Sequence, residues 1–442
     1  MTGIAEQGST DAQAWPDPTT KRRVVAWSFW DWGSAAFNAV VTTFVFTVYI
    51  TGSSFGDKDV ISAQLGWALA IAGVLVAVLA PITGQRSDTS GRRKLWLGVN
   101  TFLVVGLTAA MFFVEASPSF LLLGLVLVAA GNVFFEFASV NYNAMLSQVS
   151  TARTIGKVSG FGWGMGYIGG IVLLLIVYFG FISPDVGLFG VTGENGLSVR
   201  VTMLIAAAWF GLFALPVLFT VPEYRSPAAA RRPRVSFLRS YVVLGQDVAR
   251  LWKTSRQTVY FLIASAIFRD GLAGVFTFGG VLAASVFGFS PGEVIIFAIA
   301  ANVVAGVATI IAGALDDRVG AKPIIVTALI GLIVFGSIVF LLHDGGQIVF
   351  WTAGLALTLF VGPAQSASRT FLARLIPPGR EGEVFGLYAT TGRAVSFLAP
   401  TMFAVMVTIF GETYWGILGL MLVLLAGLLL LLPVKAHQNQ IG

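Results

Sequence analysis

The chain has 442 residues, of which 56% are hydrophobic and only 11% charged, with a formal net charge of +6 and a mean hydropathy of +0.85. A soluble protein carries about 25% charged residues, so this composition excludes a water-soluble core and points to a membrane. It contains no cysteine, which excludes disulfides and thiolate metal sites. Taken in chain order, apolar runs long enough to cross a bilayer, roughly 20 residues each, fall at 24–50, 61–84, 93–115, 119–147, 154–182, 198–221, 257–285, 291–315, 321–343, 346–371, 381–408 and 412–433. Alternating ten-residue segments of the kind that build an outer-membrane barrel are missing. The expected organisation is therefore a polar tail over 1–23, a six-helix bundle over 24–221, a polar link over 222–256, a second six-helix bundle over 257–433 and a short tail over 434–442. The first 20 residues are polar, are expected to be disordered, and lack the apolar core of a signal peptide, so the first span is expected to be retained.

Charge gives the orientation. With the N-terminus in the cytoplasm, 22 of the 27 Lys and Arg residues fall on the cytoplasmic side. Only Lys58 and Arg200 fall outside, and three arginines lie within spans. The positive-inside rule then places both termini in the cytoplasm, and the localisation expected for the chain is a cell (inner) membrane. The positive charge follows from this layout and offers no soluble face to a nucleic acid. Within the link, Phe237, Leu238, Tyr241, Val248, Leu251 and Trp252 recur at helical spacing with Arg239 and Arg250 among them. That pattern fits a helix on the inner leaflet; the alternative is a partly ordered linker.

The two halves repeat each other. GQRSDTSGRRK places Gly84, Asp88, Gly91 and Arg93 at the same spacing at which GALDDRVGAK places Gly313, Asp317, Gly320 and Lys322, 229 positions later. This spacing resembles the signature between spans 2 and 3, and 8 and 9, of the major facilitator superfamily of secondary transporters. A second pair, GKVSGFGWGMG and GEVFGLYATTG, starts spans 5 and 11, where glycines allow close helix approach. The proline expected in span 5 of a drug antiporter is missing from Gly166-Tyr167-Ile168-Gly169-Gly170. Asp88 is expected to form a charge network with Arg92 and Arg93 that closes the inner side.

Charges inside a bilayer are costly and normally meet a partner or a water-filled path. Here they are Asp31, Glu136, Arg269, Asp270, Arg369 and Arg393. In the facilitator fold spans 1, 4, 7 and 10 line the cavity, and all but Arg393 lie on those spans. Helical spacing puts Asp31, Ser34 and Asn38 on one face of span 1, and Asn132, Glu136, Ser139 and Asn143 on one face of span 4. Gln365 with Arg369, and Asp270 with Gly274 and Thr277, share faces of spans 10 and 7. Helix rise then separates an inner cluster of Asp31, Glu136 and Arg369 from a midplane pair, Asp270 and Arg393. Asp31 either locks a gate by pairing with an arginine or titrates. Glu136 is the better proton carrier. Arg393 either binds a substrate carboxylate or pairs structurally with Asp270. Arg269, about 100° round the helix from Asp270, is expected to point elsewhere, and His343 and His437 lie outside the spans. No catalytic triad, phosphate-binding loop or metal-ligand cluster is present in the sequence, so neither an enzyme nor a cofactor is expected, and the partners expected are a small-molecule substrate, protons and the lipid bilayer, with no obligate protein partner.

Three blocks sharpen the resemblance. Asp31, Trp32, Ser34, Ala35 and Phe37 in span 1 look like the Tyr-Asp-Trp-Ala-Asn-Ser-Ala-Phe opening of the vacuole-effluxer branch of the facilitator superfamily. NYNAMLSQVSTARTIGKVSGFGWGMGYIGG and GPAQSASRTFLARLIPPGREGEVFGLYATTGRAVSFLAP are similar to its span 4–5 and 10–11 blocks, with Ser147 where a proline is common. The resemblance implies a proton-linked or facilitative carrier of alternating-access type, with amino acids as the best-attested substrates. Efflux of a drug or amphiphile through an aromatic-rich cavity, and a non-transporting receptor or scaffold, are the alternatives.

Overall fold

A computed structural model describes residues 21–151, 153–223, 237–289, 291–376 and 380–435. The expected disorder of residues 1–20, part of the polar link and the tail beyond 435 lie outside them. Among the described residues, eleven helices are long and apolar enough to cross a membrane, and a shorter apolar helix, Trp415–Leu431, closes the series. Among the described residues the only extended pairing is a single bridge between Val186 and Thr192.

Spans 1–6 pack among themselves, as do spans 7–12, and the two bundles meet along spans 2 and 11 and along spans 5 and 8. Both meetings are made by small residues. A Cβ on Gly156 would lie 2.7 Å from the carbonyl oxygen of Gly313, and one on Gly84 would collide with the carbonyl of Gly382. At these points helix backbones touch directly, which only glycine permits. Large apolar side chains such as Trp67, Leu122 and Phe219 are exposed on the outside of the spans, where lipid tails would cover them.

The core of the first bundle is aromatic. Tyr142 lies between the rings of Trp27 and Trp30, each 4.3 Å away and stacked. Trp27 Nε1 donates to the Tyr142 carbonyl at 3.2 Å and Trp30 Nε1 to Thr101 Oγ1 at 3.0 Å, so the burial of these polar rings is offset by hydrogen bonds. A second buried cluster fills the other bundle and extends across the interface to Ala80, Val133 and Phe137.

Several elements differ from expectation. Spans 2 and 8 continue to Ser90 and Val319, so both loop aspartates sit in the last helical turn rather than in a loop. Span 1 becomes a π-helix over Phe37–Phe44, which shifts the phase. Span 11 is two helices, Glu381–Val395 and Leu398–Phe410. The link, by contrast, contains a helix as its spacing suggests, Phe237–Thr254, with Leu251 buried and Val242, Val248 and Trp252 exposed.

Candidate transport path and gate

The hydrogen bonds joining the two bundles cluster at the end that carries the duplicated motifs. There each motif aspartate caps a helix of the opposite bundle. Asp88 accepts from the backbone N–H groups of Gly382 and Glu383, both at 3.0 Å, at the start of Glu381–Val395. Asp317 accepts from Gly156 and Lys157, at 2.7 and 2.8 Å, at the start of Ile155–Val177. A helix start presents unsatisfied N–H groups and the positive end of the dipole, so a carboxylate there is favoured twice over.

The side chains around the two carboxylates differ. Arg93 donates through Nε to Asp88 at 2.8 Å and through Nη2 to Glu381 at 2.5 Å, tying both bundles with one buried cation. Arg92 is exposed and stands outside this network, because the turn at Gly91, with φ +66°, directs successive side chains apart. On the other side Arg374 binds Asp316, and Thr370 donates to the same carboxylate. Lys322, expected at the gate, instead donates to the carbonyls of Leu432 and Val434 at 2.6 and 2.7 Å. The free carbonyls at the end of span 12 attract its ammonium more directly than a carboxylate already satisfied by backbone. Gly320, with φ +91°, makes the corresponding turn.

Deeper in the protein, Arg369 is the centre of a sealed cluster. Its Nη1 lies 3.5 Å from Asp31 Oδ2 and donates to Asn143 Oδ1 at 3.2 Å. Its Nε donates to Ser159 Oγ at 3.0 Å and its Nη2 to the Ser159 carbonyl at 2.8 Å. Tyr142 donates its hydroxyl to Asp31 at 2.8 Å. The Arg369 side chain is only 4% exposed. Asp31 on span 1 thus stands beside an arginine of the opposite bundle.

Glu136 does not join that cluster. It pairs with Arg393, which also donates to Asn132 at 3.0 Å. Glu136 and Asn143 are seven residues apart on one helix, so the two tiers are separated by about 10 Å. Glu136 is 24% and Arg393 30% exposed, so this pair, unlike Arg369, is open to solvent. The expected Asp270–Arg393 pair does not form. Asp270 is buried and accepts from the backbone N–H of Ala399 at 2.6 Å, capping the second half of the broken span 11. The break ends the first half just past Arg393 and leaves an N–H group that Asp270 satisfies. Arg269 turns away, as expected, onto the ring of Tyr388 at 3.7 Å.

The half-buried face of span 4 is the expected one, Asn132, Glu136, Ser139 and Asn143. Gln365 lies 3.5 Å from the Tyr167 hydroxyl. Asn38 is exposed while Ser34 is buried, so they do not share a face, because the π-helix begins between them. Its carbonyl accepts from Thr42 and Thr43. Towards the other end, Thr42, Thr43 and Phe44 join Phe276, Phe297, Phe350 and Met421 around a cavity of about 570 Å³. Sequence reasoning missed Ser159, Asp316 and Glu381, and also Trp163, whose ring lies 5.7 Å from the Arg369 guanidinium. Asp316 sits beside the motif aspartate, and Ser159 lies within the glycine run of span 5. Among the described residues no group of three or more His, Asp or Glu side chains is placed to hold a metal.

The sequence profile of the vacuole effluxer Atg22-like family matches residues 146–441. The MFS-type transporter YxiO of Bacillus subtilis is 27% identical over 423 residues, covering 94% of this chain and 95% of YxiO. Autophagy-related protein 22-1 of Aspergillus fumigatus is 25% identical over 305 residues, 64% of this chain and 49% of the fungal protein, so the match spans about half of the fungal length. Among solved structures, the proton:xylose symporter XylE superposes with a TM-score of 0.70 at 16% identity, covering 94% of each chain. The E. coli fucose:proton symporter FucP superposes at 0.68 with 14% identity, covering 93% of this chain and 97% of FucP. These two likenesses show the major facilitator fold. With twelve helices, two bundles and a polar path between them, the protein is a multi-pass membrane transporter of the major facilitator type rather than an enzyme, and it belongs to the vacuole effluxer Atg22-like family.

Proposed function

We propose that the protein exports amino acids or similarly small zwitterions across the cell membrane, coupled to protons, with both termini cytoplasmic. The observation that carries this reading is the Glu136–Arg393 pair: opposite charges from opposite bundles, in contact and partly open to solvent. A zwitterion can replace that pair charge for charge. Its carboxylate takes Arg393 in two-point fashion and its ammonium takes Glu136, with Asn132 as a neutral neighbour. Protonation of Glu136 removes the acceptor and frees Arg393, so proton and substrate act on the same contact.

The pair is mechanically tied to the gate. Arg393 lies in the last turn of Glu381–Val395, whose first turn is held by Asp88. Fifteen residues of helix make a rod about 22 Å long. Release at Arg393 therefore loosens the rod whose far end Asp88 holds, while Asp270 keeps the second half of span 11 in place. Rocking of residues 24–221 against 257–433 then opens the motif end and closes the other. The distribution of Lys and Arg supports the orientation.

The test is uptake of a panel of radiolabelled amino acids into proteoliposomes, with and without a pH gradient. Accumulation driven by the gradient and lost in Glu136→Gln, with exchange retained, is expected. Full gradient-driven accumulation in Glu136→Gln and in Asp31→Asn would remove both carboxylates as coupling sites. A second reading, export of an amphiphile, is favoured by the largely aromatic and aliphatic cavity of about 570 Å³, a volume suited to a drug-sized solute. Flux of an amphiphile with no amino-acid flux would select it.

A further inference from the structure

The cluster around Arg369 is asymmetric. Three rings face the guanidinium, with Trp27, Trp163 and Tyr142 centroids at 5.0, 5.7 and 5.8 Å from its central carbon. Its oxygen partners are Asp31, Asn143 and Ser159. All six residues belong to the first bundle, on spans 1, 4 and 5; only the cation comes from the second. Aromatic faces around a carboxylate are a favourable environment for an organic cation. The Trp163 Nε1 is buried without a hydrogen-bond partner, so its ring contributes its face rather than its donor. Gly162 leaves room for the ion, since a Cβ there would lie 2.8 Å from Asp31 Oδ2 and 3.3 Å from Arg369 Nη2.

We propose that Arg369 is the built-in occupant of an organic-cation site, and that the site binds the guanidinium or primary ammonium of a solute once the bundles separate at this end. Separation withdraws Arg369 with span 10 and leaves the box whole on spans 1, 4 and 5. Solute and Arg369 then compete for one place, so cation binding and gate closure exclude each other. By linkage, a cation that binds only the open box must favour the open gate. The site lies about one tier, or 10 Å, closer to the gate than Glu136 and Arg393. It would meet a cationic solute before the deeper pair does. The proposal rests on the alternating-access reading and narrows its substrate class to solutes bearing such a cation.

The test reads the gate rather than flux, so it remains decisive even if no amino acid is transported. The chain has no cysteine, so spin labels placed at the exposed positions Arg92 and Arg318 by Arg92→Cys and Arg318→Cys report the gate distance without further change. Agmatine and n-butylguanidine should lengthen that distance, and n-butylurea, which replaces the guanidinium by a neutral ureido group of the same shape and carries no ammonium, should not. Equal distances with all three would overturn the proposal. Equilibrium binding of agmatine gives a second reading. Arg369→Ala removes the competitor and should tighten binding on the order of tenfold, about 1.4 kcal/mol. Adding Asp31→Asn to Arg369→Ala should abolish that gain. Binding unchanged by Arg369→Ala, or a gain that survives Asp31→Asn, would contradict the competition; if the variant does not fold, the n-butylurea comparison on the otherwise native chain decides.

Discussion

The two halves of the gate descend from one pattern and keep only part of it. On both sides a motif aspartate in the last turn of one helix caps the first turn of a helix in the opposite bundle. The surrounding charges are not kept. Asp88 is bound by Arg93, which also holds Glu381 across the interface. Asp317 has a looser partner from its own bundle, Arg374 at 3.5 Å, which also holds Asp316, while Lys322 is committed to the end of span 12. What survives duplication is the contact between a carboxylate and backbone N–H groups, which needs only helix geometry. Side-chain ion pairs need two compatible residues to persist in separate segments, and these have diverged.

The largest expected effect follows from breaking the buried network on one side. Arg93→Ala leaves Asp88 and Glu381 facing each other without a cation, a loss of about 3–5 kcal/mol for a buried pair, and should shift the Arg92–Arg318 label distances strongly towards the open form. Lys322→Ala should leave them in place. Equal shifts would erase the difference between the two halves.

Next come the backbone crossings. Gly84→Val and Gly156→Val should each prevent the motif end from closing, since the added side chains would enter the backbones of Gly382 and Gly313. Wild-type gate distances in either variant would show that the helices do not meet as described. Asp88→Asn and Asp317→Asn should slow turnover more than they weaken substrate binding, with Asp88→Asn the more severe because it also loses Arg93. A helix-terminus contact is worth up to about 2 kcal/mol, so Asp317→Asn should cost on the order of tenfold in rate. Turnover equal to wild type in both variants would remove the gating role. The smallest effect is that of salt: the Asp88–Arg93 pair is buried, so gate distances should change little between low and moderate ionic strength, whereas a strong salt dependence would place the closing charges at the surface.

Much of this was legible in the sequence, and the limits have physical reasons. Asp88 and Asp317 stand out by spacing, and the glycine runs starting at Gly156 and Gly382 mark the helix starts they cap. The polar face of span 4 follows from helical periodicity alone. Which arginine meets which carboxylate did not follow, because Arg393 and Glu136 are 257 residues apart and are brought together only by docking of the bundles. Depth along a helix put Arg393 beside Asp270, but the break after Val395 gives Asp270 a backbone N–H to cap instead. Symmetry placed Lys322 at the gate although its partners lie at the end of span 12. Asn38 was assigned the face of Asp31 on an α-helical period that the π-helix from Phe37 interrupts.

The central claim is that the Glu136–Arg393 contact controls rocking of the two bundles. Label pairs at Arg92 and Arg318 on the motif end, and at Ser54 and Asp344 on the other, test it directly when distances are measured at neutral and acidic pH in wild type and in Glu136→Gln. Acidification should lengthen the first distance and shorten the second in wild type, and Glu136→Gln should hold the acidic pattern at both pH values. Distances that stay fixed in wild type, that change in the same direction at both ends, or that respond to pH in Glu136→Gln as they do in wild type would contradict it.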